Sequence, residues 1–155
     1  MLALDERPFV EPAYRVIPDY VTTLGAEVAD LSAAFGFVPD REQELWLDGA
    51  FGLKSDGLPA AREGTIIASR QTVKSSSLEM TAFGWLFLTK EKLILWSAHE
   101  VPTSVGTYLH MRELIEAKPW AMKLVQRFYD SPGSLRIQMR DGRRMKKSSP
   151  AAAKS

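Results

Sequence analysis

Lys74 and Ser75 are the residues with the most chemistry to offer. They lie in the segment ASRQTVKSS, Ala68 to Ser76, between a short β-branched run and a stretch of helical periodicity. That is the position of a phosphate-binding loop. Backbone N–H groups and a helix N-terminus cradle phosphates there, a lysine reaches the β and γ phosphates, and the next hydroxyl binds magnesium. Lys74 and Ser75 match the last two roles. Against the pattern G-x-x-x-x-G-K-[ST], however, Ala68 replaces the first glycine and Val73 the second. On the pattern alone, an ordinary strand-to-helix turn with Ser75 as N-cap and Lys74 in solvent is the favoured reading.

Other reactive groups are sparse. The chain has no cysteine, which excludes disulfides, thiol nucleophiles and cysteine-based zinc sites. Its two histidines, His99 and His110, assemble no metal-ligand set with their sequence neighbours, so surface or capping roles are expected of them. Near the C-terminus Arg136, Arg140, Arg143, Arg144, Lys146 and Lys147 stand against the single acid Asp141. Such a strip could contact phosphates, but the expected role is a solvated hairpin edge that resists aggregation.

The elements that position these residues fit one domain. The chain has 155 residues, a net charge of +1 and 45% hydrophobic residues, enough for a real core and too balanced for global steering onto a polyanion. No apolar run approaches the length of a membrane span, and the acidic, proline-containing start does not read as a signal peptide. Residues 1–20 are expected to be irregular, 21–147 the folded part and 148–155 a disordered tail. Leu24, Val28, Leu31 and Phe35 predict a helix capped by Thr22 or Thr23. A second helix follows Pro39, with Asp40 and Gln43 at capping-box spacing. Lys54 to Gly64 reads as a loop. Thr65 to Ser69 (TIIAS) reads as a buried strand, Ser75 to about Leu88 as a helix, and Lys92 to Ala98 as a strand parallel to the first. A helix through Val105 to Ile115 and another through Trp120 to Phe128 follow. A hairpin turning at Asp141-Gly142 closes the domain.

Several of these segments, in this order, resemble the large terminase subunits that package DNA in tailed bacteriophages. Their degenerate phosphate-binding motif RQxGK[ST] is similar to Arg70-Gln71-Thr72-Val73-Lys74-Ser75, with the glycine lost. Asp40-Arg41-Glu42-Gln43 and the Asp56-Gly57 loop match the segment that precedes it. Leu93 to Glu100 (LILWSAHE) resembles the following strand and its turn, and Ser134 to Met145 the strand with D-G-R-R. The similarity spans about Arg15 to Met145.

The resemblance implies an α/β domain, an incomplete P-loop NTPase-like fold with a parallel βαβ unit, N-terminal helices and a C-terminal β-hairpin. It implies ATP and Mg2+ as cofactors, with Gln71, Thr72, Val73, Lys74, Ser75 and Ser76 around the phosphates, Ser75 as the magnesium ligand and Arg70 as a charge stabiliser. Gln43 matches the adenine-recognising glutamine, a role no better supported than closing the capping box with Asp40. Double-stranded phage DNA, the terminase small subunit and the portal protein are the implied partners, and the cytoplasm of the host bacterium the implied location. No strand ending in Asp-Glu is found to hold magnesium and polarise water. The nearest stretch, Leu124 to Asp130 (LVQRFYD), reads better as helix. The chain therefore resembles the front part of a longer protein, prophage or phage, lacking the nuclease domain and inactive alone. The alternative is a non-catalytic remnant with at most weak nucleotide or DNA binding.

Overall fold

Asp40 and Gln43 satisfy each other. Asp40 Oδ1 accepts from the Gln43 backbone N–H at 2.8 Å, and Gln43 Oε1 accepts from the Asp40 N–H at 2.8 Å, so the capping box is complete. The helix it starts, α2 (Arg41–Ala50), follows α1 (Gly25–Ala34) in a computed structural model that describes residues 9, 11–68, 71–89, 91–131 and 133–148. Two short antiparallel strands, β1 (Thr22–Thr23) and β2 (Gly52–Leu53), bracket this helical pair. Thr23 anchors the start of α1: its hydroxyl accepts from the Gly25 N–H at 3.0 Å and donates to the Asp48 carbonyl at 2.7 Å.

The remaining elements are α3 (Gln71–Phe87), β3 (Leu93–Trp96), α4 (Val101–Glu116), the single turn α5 (Pro119–Met122), β4 (Val125–Tyr129), β5 (Arg136–Met139) and β6 (Arg144–Lys147). Strands β3 to β6 form one sheet in the order β3-β6-β5-β4, parallel between β3 and β6 and antiparallel elsewhere. The hairpin between β5 and β6 turns at Asp141-Gly142, where Gly142 takes φ +92, a conformation that glycine alone adopts without strain. The architecture is mixed α/β.

Two apolar clusters hold it together. Val28, Leu47, Phe51 and Met80 join α1, α2 and α3. Phe83, Leu86, Met111 and Ile115 from α3 and α4 cover the sheet face made by Ile94, Ile137, Met139 and Met145, all at most 4% exposed. Phe35 closes the end of α1 by stacking on Phe83 with ring centroids 4.5 Å apart. Each fully buried side chain of this size contributes about 1.5–3 kcal/mol.

Three expectations are corrected. Thr65 to Ala68 form no strand, and Ile67 is 94% exposed; Ser69 lies outside the described residues. The parallel partner of β3 is instead β6, so the strand-helix-strand unit expected over 65–98 is absent among the described residues. A sequence window cannot see that β3 finds its parallel partner about fifty residues later in the chain. The helix expected from Ser75 already begins at Gln71, which puts Ser75 inside it rather than at its cap. Within Leu124 to Asp130, Val125–Tyr129 form strand, not helix. Trp120, Leu124, Val125 and Phe128 mimic helical spacing, but a bulge between Val125 and Arg127 lets Val125 and Phe128 both meet the core cluster from a strand.

Candidate functional site at the first turns of α3

Lys74, Ser75 and Ser76 are the fourth to sixth residues of α3, so the unpaired N–H groups of its start belong to residues 71–74 and Ser75 and Ser76 lie just beyond them. Lys74 and Ser76 are half-buried and Ser75 is exposed. The Val73 carbonyl accepts from the Ser77 hydroxyl at 2.6 Å and from the Ser76 hydroxyl at 3.2 Å, which tightens the turn around the lysine. Gln71 and Thr72 supply the first backbone positions of the helix, and Arg70 lies outside the described residues.

Gln43, 33 residues away, arrives at this turn through α2. Its Nε2 donates to Ser76 Oγ at 2.6 Å, while Trp46 Nε1, one turn on, donates to Thr81 Oγ1 at 2.8 Å. The fold therefore brings together Gln43, Ser76 and the turn that carries Lys74 and Ser75. Each end of the Gln43 amide is thereby engaged once, Oε1 by the Asp40 N–H and Nε2 by Ser76.

The donor set suits a phosphate with its magnesium only in part. An ammonium, a hydroxyl and a helix N-terminus are in place. Among the described residues the loop of close-approaching backbone is not, because residues 71–73 are already helical and Val73 carries a branched Cβ. Among the described residues no group of three or more His, Asp or Glu side chains gathers as a metal-ligand set. No helix among them is long and apolar enough to cross a membrane.

Asp130, which ends the expected helix and in fact follows β4, is committed elsewhere. It accepts from the Tyr108 hydroxyl at 2.8 Å and pairs with Arg112 at 2.6 Å. These contacts, the tyrosine first and then the arginine, hold its carboxyl below the ordinary range. Burial, helped by Asp130, pushes the Tyr108 hydroxyl up. A second pair escaped sequence reasoning: Glu79 on α3, 7% exposed, meets His110 Nδ1 at 2.7 Å. Burial raises its carboxyl, against the lowering effect of His110 and Thr107. Among the described residues His99 reaches only Glu100, at 3.7 Å in solvent. Only the placement of Glu79 and His110 on two amphipathic helices hints at their pairing, and a sequence separation of 31 residues hides it.

Comparison with models of protein families, with curated proteins and with solved structures finds no match for this chain.

Proposed function

We propose that this chain is a terminase-large-subunit-like protein of phage DNA packaging, carrying the front part of an ATP-driven motor of P-loop NTPase-like type. In this reading Lys74 contacts phosphate, Ser75 binds magnesium, Gln43 meets the adenine and Arg70 stabilises charge on the γ phosphate. Double-stranded DNA, a small subunit and a portal are the partners, in the cytoplasm of the host. The observation that carries it is the hydrogen bond from Gln43 to Ser76, which brings the glutamine to the turn holding Lys74 and Ser75. Nothing in the sequence separation of these residues requires that meeting. Calorimetric titration with Mg-ATP tests it: binding lost in Lys74→Ala and weakened in Gln43→Ala supports the reading. Equal heats in wild type and Lys74→Ala overturn it.

The placement of Val73 favours a second reading, a non-catalytic relative that retains at most weak nucleotide or DNA binding. With a helical valine in place of the glycine, and no Asp-Glu pair closing a central strand among the described residues, no hydrolytic step can be built from these side chains. ATP turnover by the purified chain should equal that of Lys74→Ala, and magnesium-dependent turnover lost in that variant would exclude this second reading.

A further inference from the structure

The basic strip near the C-terminus is not at a sheet edge. β5 and β6 are the two inner strands, and their residues alternate: Ile137, Met139 and Met145 enter the core, while Arg136, Arg144 and Lys146 face outward. β4 adds Arg127 and Tyr129 to the same outer face, since Tyr129 pairs with Arg136 in register.

Four cations thus share one face, and none has a carboxylate within salt-bridge distance among the described residues. Arg136 and Lys146 are direct cross-strand partners, an arrangement of like charges that destabilises a sheet unless something negative lies over it. Arg136 sits 3.9 Å from the Tyr129 ring centroid, and its buried Nε has no acceptor among the described residues. Arg127 lies 5.0 Å from the same centroid. By contrast Arg143, in the same hairpin but off this face, pairs with Asp141 at 2.6 Å and donates to the Thr89 carbonyl at 2.9 Å. Of the cations on the outer face, Arg136 carries a guanidinium nitrogen that is both buried and without an acceptor among the described residues.

We propose that this outer sheet face binds the phosphodiester backbone of duplex nucleic acid. Phosphate oxygens supply the missing acceptors and relieve the Arg136–Lys146 repulsion. A duplex fits better than an unstacked strand, because single strands are held by bare aromatic rings and the Tyr129 ring is already covered by arginine. Binding here depends on the sheet and not on the turn at Lys74, so failure of nucleotide binding leaves it untouched.

Fluorescence anisotropy of a labelled DNA duplex titrated with the full chain tests this. Wild type should bind in low salt, and Arg144→Glu with Lys146→Glu should weaken binding at least tenfold. The same pair should flatten the salt dependence of log K by about 2 units of slope, roughly 0.9 for each phosphate no longer neutralised. A control with the same charge change on exposed lysines elsewhere, Lys54→Glu with Lys123→Glu, should retain affinity within about threefold. Thermal melts verify each fold, and Arg144→Gln with Lys146→Gln replaces the glutamate pair should that pair unfold. Equal losses in control and test pairs, no duplex binding in low salt, or tighter binding to a single strand or to anionic lipid vesicles than to duplex would each overturn the proposal.

Discussion

Gln43 Nε2 lies 2.6 Å from Ser76 Oγ, and the opposite end of the same amide closes the capping box of α2. One buried side chain therefore both starts α2 and fastens it to α3. Ser76→Ala leaves a buried amide donor without that acceptor and should cost about 1 kcal/mol. Gln43→Ala loses the cap as well, about 2 kcal/mol. A double-mutant cycle by denaturant unfolding should give a coupling of about 1 kcal/mol between the two positions; strict additivity would mean the bond contributes nothing.

Two glycines in helices should respond to alanine with opposite signs. At Gly25 an added Cβ would sit 2.6 Å from Asp48 Cα and 2.7 Å from its nitrogen, so α1 and α2 cross backbone to backbone. Nothing there can swing aside, and Gly25→Ala should cost about 1–3 kcal/mol. Gly106, on α4, has nothing within 4 Å of the same atom. Gly106→Ala should stabilise by about 0.4–1 kcal/mol through lost freedom of the unfolded chain. Melting temperatures of the two variants, moving apart from wild type, check both.

Local signals were legible and long-range ones were not. The capping box at Asp40 and Gln43, the turn at Asp141-Gly142 and the helix through Val105 to Ile115 depend on residues within a few positions, and each forms as expected. The strand reading of Thr65 to Ala68 failed because a β-branched run becomes a strand only with a partner, and none pairs with it among the described residues, where β3 pairs with β6 alone. LVQRFYD failed because a bulge shifts the period of β4 toward that of a helix. Of the candidate site, Lys74 and Ser75 could be picked out by type, but their meeting with Gln43 depends on how α2 packs on α3. The outward cations were visible as a strip, and only the strand order separates those that share a face from Arg143, which does not.

Asp130 and Glu79 give stability opposite dependences on acid. The Asp130 carboxyl is held below its ordinary 3.8, by the Tyr108 hydroxyl first and Arg112 second, so its contribution is present at neutral pH and lost as pH falls below that value. Glu79 is raised above 4.5 by burial, so the folded state keeps a proton the unfolded chain has released, and stability declines as pH climbs from 4.5 through the raised value. Tyr108→Phe should therefore make the loss of stability below pH 3.8 shallower. Glu79→Gln should remove the decline above pH 4.5. Melting temperatures recorded from pH 2 to 8 distinguish the two, and parallel curves for wild type and Glu79→Gln would reject the burial effect.

Val73 is the residue most at odds with a phosphate site. A loop that wraps phosphate needs backbone approach without a Cβ and dihedrals that a branched residue resists. Val73 is instead helical, its carbonyl held by Ser76 and Ser77. Glycine there lowers helix stability by about 1 kcal/mol, which loosens the first turn of α3 and lets residues 71–73 leave the helix. The strain of forcing a branched residue into such a loop is about 1–3 kcal/mol, equivalent to roughly tenfold to a hundredfold in affinity. Val73→Gly should thus melt earlier than wild type yet bind Mg-ATP more tightly by calorimetry. Thr72→Gly should carry a similar helical cost with no gain in affinity. If both glycines lower the melting temperature and neither changes the heats, the turn at Lys74 is a helix start held by Gln43 and takes no phosphate.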